Sequence, residues 1–185
     1  VHRALNGNHE MYGQGRAYFE RLLPKLRQDE SIFAFSNGSW LVVGLDTAYK
    51  DHDLNKVQIQ WLDGLLAKAK LNGLKVVALS HHQLFDLTRS AGKKLRASVA
   101  SLENQGQIRA WYWGHEHHAA IYEWSDEFKL HARCLGNGGM PRERTAFAKL
   151  AMKEELGDGY SWRSFKAGMA ASCPGGLVLD GPNLA

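Results

Sequence analysis

From Arg16 to Arg27 the residues Tyr18, Phe19, Leu22, Leu23 and Leu26 recur at three- and four-residue spacing, which predicts a helix. Pro24 falls inside this stripe and limits or kinks it, because proline lacks the backbone N–H a helix interior needs. Two aromatic and β-branched runs follow, Ile32 to Phe35 and Trp40 to Leu45, on either side of the turn-rich Ser36-Asn37-Gly38-Ser39. That arrangement predicts a β-hairpin. Between Asn55 and Lys70, Val57, Ile59, Trp61, Leu62, Leu65, Leu66 and Ala69 leave Lys56, Gln58, Asp63, Lys68 and Lys70 largely on another face, as in an amphipathic helix ended by Gly73.

Lys75-Val76-Val77-Ala78-Leu79 is a short apolar run without alternation, the pattern of a central strand covered on both faces. A helix followed by such a strand predicts an α/β layer. Downstream, Ile108 to Trp113, Ala120 to Trp124 and Phe128 to Ala132 read as three further strands, with Ser125-Asp126-Glu127 in one connection. Gly136-Asn137-Gly138-Gly139 reads as a turn, Thr145 to Leu156 as a helix and Gly176 to Asp180 as a last strand. No repeat or low-complexity tract interrupts the chain, so the expectation is one domain over residues 1–185.

Composition narrows the class without naming a function. With 185 residues, 44% hydrophobic and 23% charged, the chain is of globular type, not a disordered or fibrous one. The net charge of +4 is thinly spread. Its densest knot, Lys93, Lys94 and Arg96, is too small for a nucleic-acid stripe. Cys134 and Cys173 match no metal pair or redox motif and imply no disulfide framework. No apolar run approaches the roughly twenty residues that span a bilayer, so no membrane span is expected. The first residue is Val1, not Met, and a motif follows within six residues, so we expect a piece of a longer chain.

The candidate chemistry lies in the histidines. Of nine, five fall in two clusters behind strand-like runs: His81 and His82 after Val76 to Leu79, and His115, His117 and His118 after Trp111 to Gly114. Asn8 and His9 similarly follow Ala4-Leu5, and each cluster is expected at a strand's carboxyl end. In open α/β sheets ligands collect outside those ends, so the three could converge on one rim. If the segment is extended, His115 and His117 project from the same face and His118 from the other. Each motif alone has a plain alternative. A His-x-His pair also suits a polar surface loop, a strand-end histidine a hydrogen-bonded rim, and Gly7-Asn8 an ordinary turn.

Their order removes much of that ambiguity. Gly7-Asn8-His9-Glu10, then Ser80-His81-His82, then Gly114-His115-Glu116-His117, each behind a strand-like run, resembles the last three metal motifs of the calcineurin-like metallophosphoesterases. The match covers roughly residues 4 to 140, and Gln58-Ile59-Gln60-Trp61-Leu62 also looks like that family's helix before the histidine strand. The resemblance implies an α/β fold, a β-sandwich flanked by helices in αββα layers, here incomplete at its N-terminal side. It implies divalent metal ions, two in a complete domain, with manganese, iron and zinc all compatible with mixed nitrogen and oxygen ligands. Asn8, His81 and His115 would hold the second metal and His117 would contribute to the first. His9 would face the phosphate, stabilising its charge or protonating the leaving oxygen, with Glu10 orienting it. His82 is the alternative to His81, and Gln83 stands where the family often carries a proline.

The family's Asp-x-His and Gly-Asp motifs have no counterpart here, because Asp46, Asp51, Asp53 and Gly157-Asp158 lie in other contexts. In the family two metals clamp a phosphate ester and activate water for in-line attack, so without the bridging carboxylate this chain is expected to bind metal weakly and catalyse little. The implied partner is a phosphate-ester substrate: a monoester, diester, nucleotide or phosphoprotein. Two rivals remain. One is a non-catalytic phosphoesterase-fold binding module, although the six tryptophans read mainly as core. The other is a cupin-type oxygenase built on His115, His117 and Glu123, which the predicted helices fit poorly.

Overall fold

A computed structural model describes residues 2–48, 52–86, 91–125, 129–136 and 138. A short helix α1 (Asn8–Tyr12) precedes a π-helical stretch, Ala17–Leu22, which runs directly into one α-helical turn, α2 (Leu23–Leu26). The helix expected from Arg16 to Arg27 therefore forms, with Pro24 at the junction where the π-helical stretch gives way to α2. Arg27 closes it in the left-handed conformation, with φ of 51°. The hairpin expected around Asn37-Gly38 is β1 (Phe33–Ser36) paired antiparallel with β2 (Trp40–Leu45). Asn37 fixes its turn by accepting from the N–H groups of Ser39 and Trp40.

The amphipathic helix is α3 (Lys56–Leu71), started by Asn55, whose side chain accepts the Gln58 N–H. Gln58, Leu62, Leu66 and Ala69 form its buried stripe. β3 (Lys75–Ser80) follows and lies between β2 and β4 (Ile108–Trp113), parallel to both, as the unalternating run predicts for a central strand. The strands β5 (Ala119–Ser125) and β6 (Leu130–Leu135) complete a six-stranded sheet in the order β1-β2-β3-β4-β6-β5. β6 is parallel to β4, and β5 is the antiparallel edge. The result is a mixed α/β fold, with helices flanking a largely parallel sheet. Its parallel pairs set it apart from the antiparallel barrel that the oxygenase alternative requires.

One face of the sheet is the core. Leu41, Val43 and Leu45, Val76 and Ala78, Ile108, Trp111 and Trp113, and Leu130, Ala132 and Cys134 join Leu62 and Leu66 of α3 in one apolar cluster. Phe85 packs edge-to-face on Trp113 at 5.4 Å and on Tyr122 at 5.0 Å, an arrangement that lets ring edges meet ring faces. Each fully buried leucine contributes about 1.5–3 kcal/mol relative to an exposed one. Trp111 and Trp113 are core, as expected, whereas Trp40 and Trp124 remain partly exposed on β2 and β5.

Two readings need correction, and one helix was not anticipated. Ala4-Leu5 is not a strand: the Ala4 backbone bonds to the Gln28 amide at 2.9 and 3.0 Å and to the Tyr18 hydroxyl at 2.9 Å instead of to a neighbouring strand. The segment after β4 is not extended but bent, with φ of 42° at His115, so His115 and His117 do not share a face by strand alternation. α4 (Lys93–Ala100) absorbs the basic knot, and Arg96 donates to the carbonyls of Leu84 and Ala91. The connection through Asp126 and Glu127, and the helix and strand expected at Thr145 to Leu156 and Gly176 to Asp180, lie outside the described residues. Among the described residues no helix is long and apolar enough to cross a membrane.

Candidate metal centre

The register of the sheet brings the histidines together. Leu45 pairs with Ser80 and Ser80 with Trp113, so β2, β3 and β4 end in one row. The residues just beyond each end therefore emerge side by side: Thr47 after β2, His81 and His82 after β3, and Gly114 to His118 after β4. The turn after β3 is braced from below. The buried Ser80 hydroxyl donates to the His82 carbonyl at 2.8 Å and accepts the Trp111 indole N–H at 2.8 Å. At the end of β2, the Gln58 side chain accepts the Asp46 N–H and donates to the Asp46 carbonyl, pinning the strand to α3.

Asn8 reaches the same rim as the first residue of α1. Its Nδ2 donates to the Tyr12 hydroxyl at 2.9 Å, one helical turn on, which turns Oδ1 toward His81. His81 Nε2 lies 2.9 Å from Asn8 Oδ1 and 3.1 Å from His115 Nδ1. Such separations suit a metal, because bonds of ~2.1 Å place adjacent donors ~3.0–3.4 Å apart. Gly7 makes the approach possible, since a Cβ there would sit 2.8 Å from His81 Cε1 and 2.9 Å from its Nδ1. Glu10 reaches back to the Gly7 N–H at 2.6 Å, so its carboxylate holds the turn beneath Asn8.

Electrostatics keep these rings neutral. Burial, and then the neighbouring His115, push the His81 pKa down to about 4. Burial, followed by His52 and His81, takes His82 to about 3. His115 is lowered too, by burial and then by His52. At neutral pH the imidazoles are therefore uncharged and hold lone pairs, the state in which histidine binds a metal.

His81, His82 and His115 each place a ring nitrogen within 4.8 Å of the others. His82 is 3% exposed and is tied to Thr47 Oγ1 by its N–H at 3.0 Å and its Nδ1 at 3.2 Å. His9 and His117 are exposed and line a cleft of about 520 Å³ with Asn8, His81, Gln83, Asp86, His115 and Glu116. Asn8, His81, His82 and His115 thus cluster, while His9 and His117 occupy the cleft wall. Sequence reasoning missed Thr47, Asp86 and His52, whose ring stacks on His82 at 4.0 Å. A lone histidine in a polar loop carries no spacing signal. Thr47 lies in the loop after β2 and carries no motif that marks it as a histidine's partner.

A second group, Glu116, His118 and Cys134, also gathers its donor atoms within 4.8 Å. Its members also brace the loop. Cys134 Sγ faces the carbonyl oxygens of Gly114, Glu116 and His118 at 3.2 to 3.6 Å, and burial raises the thiol pKa, so the thiol stays protonated and donates. Glu116 is held by the Trp113 indole N–H at 2.8 Å and lies 3.8 Å from His118 Nε2. The loop that presents His115 is thereby anchored to β4 and β6.

No protein-family model and no curated protein matches the chain. Among solved structures it is similar to a crystal structure of a dimetal phosphatase from Danio rerio, with a TM-score of 0.53 and 17% sequence identity. The alignment covers 71% of this chain and 59% of that one, so the chain spans less than two thirds of the phosphatase's length. At this identity the likeness is one of architecture: a mixed α/β chain with a six-stranded sheet flanked by helices, similar in fold to a dimetal phosphatase.

Proposed function

We propose that this chain is part of a calcineurin-like metallophosphoesterase and that its chemistry is metal-dependent hydrolysis of phosphate esters. The observation that carries this reading is the convergence of Asn8, His81 and His115, far apart in sequence, with donor atoms 2.9 and 3.1 Å apart on a cleft. The fold likeness to a dimetal phosphatase supports it. The donor set fits a divalent transition ion, since two neutral imidazoles and an oriented amide oxygen suit manganese, iron or zinc. An ion held there supplies positive charge to phosphate oxygens and acidifies water.

The chain's own residues do the rest. Asn8, held by Tyr12, presents its oxygen, and His81 and His115 present nitrogens from braced loops. His117 and His9 line the same cleft, and in this reading His117 would serve a second ion and His9 would face the phosphate. There His9 would donate a proton to the leaving oxygen or stabilise charge on the phosphoryl group. Among the described residues, the three-histidine group contains no carboxylate, which favours the alternative of a non-catalytic binding module.

Hydrolysis of an aryl phosphate and an aryl phosphodiester, with and without chelator, separates these readings. The enzyme reading expects metal-dependent turnover, kept low in this chain by the lack of counterparts to the family's Asp-x-His and Gly-Asp motifs. His9→Ala should lower kcat about 10²–10⁴-fold with metal content unchanged, and Asn8→Ala should lower both. Metal uptake without hydrolysis of either ester would leave the binding module as the function.

A further inference from the structure

We propose that His82 is itself a metal ligand, so that Asn8, His81, His82 and His115 form a four-donor site, three nitrogens and one oxygen, for a single zinc-like cation. This rests on the metal-centre reading above and deepens it, because the family resemblance assigns a ligand only to His81 of the pair.

Three independent features of His82 point the same way. It is 3% exposed, and its Nε2 is buried with no hydrogen-bond partner among the described residues. Buried polar atoms are nearly always paired, so an orphaned ring nitrogen beside two other imidazoles marks a place for a ligand. Its Nδ1 meets Thr47 Oγ1 at 3.2 Å. A metal-bound histidine characteristically engages its other nitrogen with an outer partner that fixes tautomer and ring orientation. In the tautomer whose Nδ1–H donates to Thr47, the lone pair is on Nε2. Finally, a ring nitrogen of His82 lies within 4.8 Å of those of His81 and His115. Donors on one four-coordinate ion stand ~3.4 Å apart, so the rings would close by up to ~1.4 Å on taking up the ion, a side-chain adjustment.

The surroundings resist any other position for the ring. Ser80 and Trp111 hold the His82 backbone, and the His52 ring covers its face at 4.0 Å and an interplanar angle of 16°. A turned-away rotamer would have to break the Thr47 contact. Three imidazoles and an amide oxygen would supply four protein donors without a carboxylate, and the water or phosphate oxygen of the proposed reaction would enter as a fifth. The chain should therefore hold one zinc-like ion more firmly than the three-ligand set drawn from the family resemblance would.

Cobalt(II) titration followed by visible absorption tests this, since band intensity reports coordination number. The wild-type protein is expected to take up one equivalent with the strong band of a four-coordinate site. His82→Ala should bind at least tenfold more weakly, with a weaker band, and Thr47→Val should fall between. If His82→Ala matches wild type in affinity and spectrum while His81→Ala loses both, His82 is not a ligand and the metal centre stands without it. If the wild-type protein takes up no cobalt, the metal-centre reading itself fails. Should His82→Ala not fold, long-range ¹H–¹⁵N spectra of the wild-type protein with zinc decide. His82 Nε2 must shift along with His81 Nε2, and an unshifted His82 Nε2 overturns the proposal.

Discussion

Gly7 shows how a single residue sets the centre. Its missing side chain leaves room for the His81 ring, which a Cβ would meet at 2.8 Å. Gly7→Ala is therefore expected to displace His81 and weaken metal binding about tenfold or more, by the precedent of outer-shell changes, while far-ultraviolet circular dichroism stays unchanged. Titration of the same histidines gives a second expectation. His81 and His82 are held at about 4 and about 3, below the 6.5 of an unfolded chain. The unfolded state thus binds more protons than the folded one below pH 6.5, so these groups contribute stability at neutral pH that is lost as pH falls from 6.5 through 4 toward 3. Urea midpoints of metal-free protein at pH 7, 5.5 and 4.5 should fall accordingly, and His82→Asn should flatten the slope. At this scale the sequence was informative where residues came in ordered motifs. Asn8, His81 and His115 were legible from the order of three clusters. Thr47 and His52 were not, because their roles arise only when the loop after β2 folds against His82.

The elements were legible where their periodicity was strong. The Asn55 to Lys70 stripe maps directly onto α3, which buries one consistent face, and the apolar run from Lys75 onto β3, although that strand alternates buried with half-buried positions and is not covered equally on both faces. α4 escaped because only Leu95 and Val99 are buried within a basic stretch, too few apolar positions to announce a helix. Ala4-Leu5 misled in the other direction, since a short apolar pair says nothing about whether its backbone will find a strand or, as here, the side chain of Gln28. The junction of α3 and β2 tests how an element positions the site. Gln58→Ala would remove both buried hydrogen bonds to the Asp46 backbone, at about 0.5–1.5 kcal/mol for each. Urea unfolding should show that loss as a lower midpoint at an unchanged slope. Metal affinity should fall as well, through Thr47 and His82.

At the scale of the molecule, three parallel strands ending in one row turn sequence clusters tens of residues apart into one site, and no single strand could do so. The apolar cluster behind them makes that row rigid, so Leu66→Ala, at 0% exposure, should cost about 2–5 kcal/mol by thermal or urea unfolding without changing the metal ligands. Because a metal would bind only the folded state, saturating zinc at a hundredfold excess over Kd should add about 2.7 kcal/mol of stability, and chelator should remove it. The measurement that bears most directly on the whole account is calorimetric titration of the protein with zinc and manganese, beside Asn8→Ala and His81→Ala. The account predicts saturable binding by the wild-type protein that each substitution weakens at least about tenfold with the fold intact. Binding that is absent, or that persists unchanged when Asn8 and His81 are removed, would contradict it.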